Sequence, residues 1–303
     1  QYNYWLVINQ YTQLMSKINE NKMKILKYTF LFLLGTMLSC SSDDETIIIP
    51  TASELDGINK IQEITNDTHI IELYNVNGAL EQGYNAISLR IKNKTTNEYE
   101  KNATISWMPV MHMAMMNHSC PKSEIVKTAS KETLYDGYIV FQMAQNETEY
   151  WDLQIDYTIA DVVYTATAVV NVPASAKQRV TSFMGSDNVR YIIAMISPTT
   201  PKVATNDVTF GLYKMENMMS FPVVDNFKIK IDPRMPSMGN HGSPNNIDLT
   251  QMDDDLYHGK LSLTMTGYWK INLQLLNDLN EVLKGETITE TTTASSIYLE
   301  LEF

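Results

Sequence analysis

Residues 107–121 read WMPVMHMAMMNHSCP. Met108, Met111, Met113, Met115 and Met116 fall there together with His112, His118 and Cys120. Methionine is ordinarily a scattered filler of apolar cores, so this crowding asks for a reason. Thioether sulfur has no proton to lose, and it binds a soft cation whatever the pH. Imidazole takes Cu(I), Cu(II) or Zn(II). Together they form the donor set that a copper site outside the cytoplasm would use, with Cu(I) favoured. A Cys120 thiolate would tighten that hold once the metal had displaced its proton. A sparser segment follows at RMPSMGNHGSP, residues 234–244, where Met235, Met238 and His241 are spaced by threes.

Packing is the competing explanation. In a strand Met111, Met113 and Met115 would share one face and could fill a core. Met143 and Met265 end alternating runs and read as core, as do Trp107, Trp151 and Trp269. Pro236 argues against placing the second segment in a central strand. Other chemistries lack their residues. There is no P-loop, GxGxxG, HExxH or nucleophile elbow. A blue-copper site needs a further His or Met soon after its cysteine, and PKSEIVKT follows Cys120. Zinc on His118 and Cys120 would need two more ligands from elsewhere. The DDD tract at 253–255 lacks calcium-loop spacing. No catalytic constellation is present, and the chain reads as a binding protein, not an enzyme.

The elements that must position these donors repeat. Met108-Pro109-x-Met111 can be laid on Met235-Pro236-x-Met238, and Asn117-His118-x-x-Pro121 on Asn240-His241-x-x-Pro244. YDGYIVFQM (135–143) matches YHGKLSLTM (257–265), WDLQIDY (151–157) matches WKINLQL (269–275), and NAISLRI (85–91) matches NDVTFGL (206–212). The blocks keep their order, which indicates a duplicated domain and not a solenoid unit. Within each copy the apolar period is two, as in Ile87, Leu89 and Ile91, or Leu299, Leu301 and Phe303. Short alternating strands with polar turns predict antiparallel sandwiches. Domains are expected over 55–172 and 189–303, with a linker at 173–188. Asn277–Lys284 reads as a helical turn or two within a connection.

MPSMGNHG followed by YHGKLSLTMTGYWKINLQL resembles the YtkA-like family, with FixH-like proteins as neighbours. The shared features are an M-P-x-M-G-H segment, a Tyr-x-Gly strand and a Met-x-Gly-x-Trp strand. Asn240 is an insertion before His241, and the first copy lacks the glycine after Met111. The resemblance implies two tandem immunoglobulin-like β-sandwiches. It also implies a connection to copper handling and oxidase assembly, and hence a copper-handling protein as partner.

The start of the chain reads differently. MKILKYTFLFLLGTMLSC, residues 23–40, has two lysines, a short apolar stretch and small residues before Cys40, the pattern of a secretory signal. MLSC resembles the lipobox of bacterial lipoproteins, and SSDDE after it is similar to the export signal of Bacteroidetes surface lipoproteins. Residues 1–22 are expected to be an upstream mis-start, 23–39 a signal peptide, and 40–54 a lipidated Cys40 with an acidic linker. The whole chain carries −12. Removing residues 1–39, with four lysines and one glutamate, leaves about −15, which argues against nucleic acid as a partner. Cys120 would then be unpaired. The expectation is an outer-membrane, surface-exposed lipoprotein that binds copper through the eleven Met, His and Cys donors for sequestration or delivery. The alternative is a two-module lipoprotein that binds a protein or glycan, with its methionines as packing.

Overall fold

A computed structural model describes residues 53–303, so the signal, Cys40 and the acidic run after it lie outside the described residues. Nine strands form the first sandwich: β1 (Asn59–Thr65), β2 (His69–Asn75), β3 (Gly83–Asn93), β4 (Thr104–His112), β5 (Asn117–His118), β6 (Val126–Lys127), β7 (Tyr135–Phe141), β8 (Tyr150–Ile159) and β9 (Val162–Val170). One sheet has the order β1-β2-β3-β7-β6 and the other β5-β4-β8-β9. All pairings are antiparallel. Set aside β1, and these are the A-B-E-D and C′-C-F-G orders of an immunoglobulin-like domain, with Trp107 buried on the strand that corresponds to C. The alternation seen in sequence is the cause. Leu89, Ile91, Trp107, Ile139, Phe141, Trp151 and Leu153 point between the sheets and share one core.

The second sandwich repeats the order. Its strands are β10 (Val180–Met184), β11 (Arg190–Ser197), β12 (Thr205–Lys214), β13 (Lys228–Met235), β14 (His241–Gly242), β15 (Ile247–Gln251), β16 (Tyr257–Ser262), β17 (Tyr268–Leu276), β18 (Val282–Lys284) and β19 (Tyr298–Glu302). β10-β11-β12-β16-β15 mirrors the first sheet, while β13 pairs β14 and β17, and β17 pairs β19. Here β15 also pairs β13, which joins the two layers at one edge. Leu89 pairs with Tyr135 in the first copy, and Phe210 with Tyr257 in the second. Those are the positions that the sequence blocks equate. Trp151 donates to the carbonyl of Met143, and Trp269 to that of Met265, each at 3.0 Å.

Four expectations change. Residues 173–188 are not only a connection, because Val180–Met184 pairs as a strand with Arg190–Ala194. Asn277–Lys284 holds a turn and strand β18, not helix. Met143 and Met265 are half-buried, although Met265 still packs against the second core. The duplicated segment also needs a shift of three residues. Met111 lies opposite His118 and Trp151. Met235 lies opposite His241, and its neighbour Arg234 opposite Lys270. So Pro109-x-Met111 matches Pro233-x-Met235, and Met108 does not overlie Met235. Strand period explains why: an odd shift would turn every inward side chain outward, and Met111 and Met235 are both core residues, 0% and 3% exposed.

The two sandwiches share a third apolar cluster. Val140 of β7 meets Val180, Ile192, Ala194, Tyr213 and Phe221, with Tyr84, Tyr138, Met215 and Val223 packed around it. The Ile139–Phe141 end of β7 is therefore buried on both faces. Residues 53–303 form one compact unit.

Candidate metal centre

The β4–β5 hairpin sorts the donors by strand alternation. Met111 points inward and is fully buried. His118, its cross-strand partner, is 7% exposed, and its ring meets Trp151 edge-on at 5.6 Å. Met108 and His112 lie on the outer face. His112 Nε2 is engaged by Asp152 at 2.6 Å, and the ring stacks on Tyr150 at 4.8 Å. At the tip the Met113 N–H donates to the Met116 carbonyl at 3.1 Å and closes a tight turn. Met113 leans on the core, whereas Met115 is 91% and Met116 49% exposed. Two thioethers in solvent on a turn are unusual, since such positions favour Gly, Asn, Asp or Ser.

His118 has an informative environment. Its Nδ1 lies 2.7 Å from the Ser119 carbonyl. A carbonyl only accepts, so this contact fits the Nδ1–H tautomer, in which Nε2 keeps its lone pair; Gln142 Nε2 lies 3.3 Å from the same Nδ1. A ring whose other nitrogen is held by a backbone carbonyl is the usual arrangement of a metal-binding histidine. Gln142 braces the same spot, with its Nε2 at 3.2 Å from the Ser119 carbonyl. Ser119 Oγ and Gln142 Oε1 are buried there without hydrogen-bond partners.

Other candidates separate from this group. Cys120 is in the first core, 2% exposed. Burial pushes its thiol pKa well up, outweighing the opposing pull of Lys122, so it packs as a small apolar residue and not as a thiolate donor. Met235 is likewise core. Pro236 opens a single 3-10 turn, Pro236–Met238, as its chemistry suggests. Met238 on that turn is 55% exposed, and His241 beyond it is exposed. The second segment thus offers two accessible donors while its remaining methionine is buried. Among the described residues, no three His, Cys, Asp or Glu side chains converge on a point, and the exposed soft donors of the hairpin are thioethers.

Sequence reasoning missed Met218 and Met219, both exposed, whose turn touches the hairpin: the Ser119 N–H donates to the Met218 carbonyl at 2.7 Å. MENMM lies outside the repeated blocks, and its only signal was the pairing of two methionines in a turn.

No family model and no curated protein matches the chain in sequence. Five chains of solved structures match in shape. One is a chimeric titin Z1Z2-Z1Z2 tandem functionalized with a GRGDS peptide from fibronectin. It is 13% identical, covers 71% of this chain and 91% of that chain, and has a TM-score of 0.18. At that score the likeness carries no argument, and the immunoglobulin-like assignment rests on strand order.

Proposed function

We propose that this is a lipid-anchored envelope protein of two YtkA-like domains that binds copper as Cu(I) at the β4–β5 hairpin, for sequestration or delivery and not for catalysis. The carrying observation is the hairpin itself. Met115 and Met116 present sulfur to solvent within three residues of His118, whose Nε2 keeps its lone pair in the tautomer that the Nδ1 contact fits. Thioether with imidazole selects a soft cation over Zn(II). Lipidation at Cys40 and an outer-membrane address belong to the same proposal and rest on the sequence pattern alone.

Of the eleven donors expected from sequence, the proposal keeps Met115, Met116 and His118 as principal ligands. It treats Met111, Met235 and Cys120 as packing, and Met108, His112 and Met113 as hairpin support. Met238 and His241 form at most a weaker second position. The test is a titration of the full chain with Cu(I) against a competing chelator, with Zn(II) as control. M115L/M116L should weaken Cu(I) binding by at least about tenfold, since even supporting groups are worth about 10–100-fold. M238L/H241A should leave it near wild type. An unaltered affinity in M115L/M116L would remove the hairpin from the site. The exposed thioethers also favour a second reading, an adaptable surface for a protein partner. That reading gains if the wild type binds no Cu(I).

A further inference from the structure

Residues 215–221, MENMMSF, make the turn that leaves β12. Its ends are fixed in the seam between the sandwiches, where Met215 and Phe221 pack with Val140 and Tyr138. Its backbone is braced from within. The Asn217 side-chain oxygen accepts from the Met219 N–H at 2.8 Å, the Glu216 N–H donates to the Ser220 carbonyl at 3.0 Å, and the Ser220 hydroxyl donates to the Glu216 carboxylate at 3.1 Å. Between these anchors Met218 and Met219 are 42% and 43% exposed. A turn this well fixed needs no apolar tip for its own stability, and each thioether there would be better placed in a core.

The tip is docked on the other sandwich, at one place. The Met218 carbonyl accepts the Ser119 N–H at 2.7 Å. Ser119 follows His118 directly, and the Cα of Met116, three residues earlier, lies at most about 11 Å away along the chain. Two exposed thioethers on a braced turn of the second sandwich are therefore tied, through one backbone hydrogen bond, to the segment of the first that carries Met115, Met116 and His118.

We propose that Met218 and Met219 are ligands of the hairpin's Cu(I) site, so that the metal is held across the seam by both sandwiches. This rests on the copper reading of the hairpin. The hairpin alone supplies Met115, Met116 and His118 Nε2, on a tip closed by one backbone hydrogen bond. The braced turn adds soft donors whose positions are already fixed, which lowers the ordering cost of closing a shell. Thioethers release no proton on binding, so the pair strengthens the site without adding pH dependence. A metal gripped from both sides binds the assembled fold and not the separated sandwiches, and it stabilises that fold by mass action.

The test compares the wild-type full chain with M218L/M219L and M115L/M116L. Leucine keeps volume and apolarity, so the melting midpoint without metal should not move. Cu(I) is titrated against a competing chelator, and the midpoint is measured with and without one equivalent of Cu(I). The expected result is a loss of affinity of at least about tenfold in M218L/M219L, with a smaller Cu(I)-induced rise in midpoint. If M218L/M219L binds as wild type while M115L/M116L is weakened, the inference falls and the hairpin reading stands. If wild type itself fails to bind Cu(I), both fall.

Discussion

Glu72 is 5% exposed on a strand whose outer face should be wet. Burial pushes its carboxyl pKa up, but hydrogen bonds from Lys60, Tyr74 and Arg90 outweigh that and bring it to about 2. Lys60 Nζ lies at 2.7 Å, Arg90 Nε at 2.6 Å and the Tyr74 hydroxyl at 2.8 Å, and the Arg90 guanidinium lies over Tyr99 at 3.8 Å. His69 is the opposite case. It is 2% exposed between Tyr157 and Tyr164, and burial lowers its pKa despite Glu100 nearby. Both groups lose stability in acid, in different windows. For His69 the unfolded chain takes up its proton first as pH falls below about 6.5, so stability drops there and levels off once the folded ring titrates. For Glu72 the loss begins below about 4.3, the unfolded value, and continues to about 2. Its contribution is about 2 kcal/mol after discounting the exposed Lys60. Urea unfolding at a series of pH values should show both declines, and Glu72→Gln should remove only the lower one. A flat profile from pH 8 to pH 3 would contradict these environments. Neither residue was flagged by sequence, because nothing in HIIELYN marks which polar side chain is covered. The roles of Met111 and Cys120 were equally open until burial distinguished them.

At the scale of elements, the Tyr-x-Gly match between the copies was legible, and structure supplies its cause. A Cβ added to Gly137 would sit 2.7 Å from Cζ2 of Trp107, and one added to Gly259 would sit 2.4 Å from the carbonyl oxygen of Ile247. The same glycine thus makes room for a tryptophan in one sandwich and for strand β15 in the other. Where Trp107 stands in the first, the shift of three places Ile231 in the second, and the smaller side chain lets β15 close the two layers. Gly137→Ala should cost about 1–3 kcal/mol, the range for overpacking a core. Gly259→Ala should cost more, because the obstacle is backbone. Both should lower the denaturant midpoint with an unchanged slope, and a wild-type midpoint in Gly259→Ala would contradict the contact. Alternation and block order were enough to read the antiparallel sandwiches from sequence. The Met-Pro-x-Met register was not, because identity favoured one alignment and the inward face of the strand required another.

At the scale of the molecule, the seam was the least legible part. Its sequence trace is the continuous run Tyr191–Ile196, YIIAMI, which has no polar alternation because one face meets its own core and the other meets the first sandwich. Tyr84, Tyr138 and Val140 complete it from the other side. Contacts between distant segments leave no local period, so residues 173–188 read as a linker and MENMM drew no reading at all. Next to the seam the Met218 carbonyl accepts the Ser119 N–H beside the hairpin, and the account stands or falls on whether the exposed methionines on the two sides hold metal. The most direct measurement is copper X-ray absorption on the full chain loaded with one equivalent of Cu(I). The account expects a first shell made mostly of sulfur, with imidazole nitrogen, and fewer sulfur neighbours in M115L/M116L. A shell of oxygen and nitrogen alone, or copper lost on desalting, would contradict it.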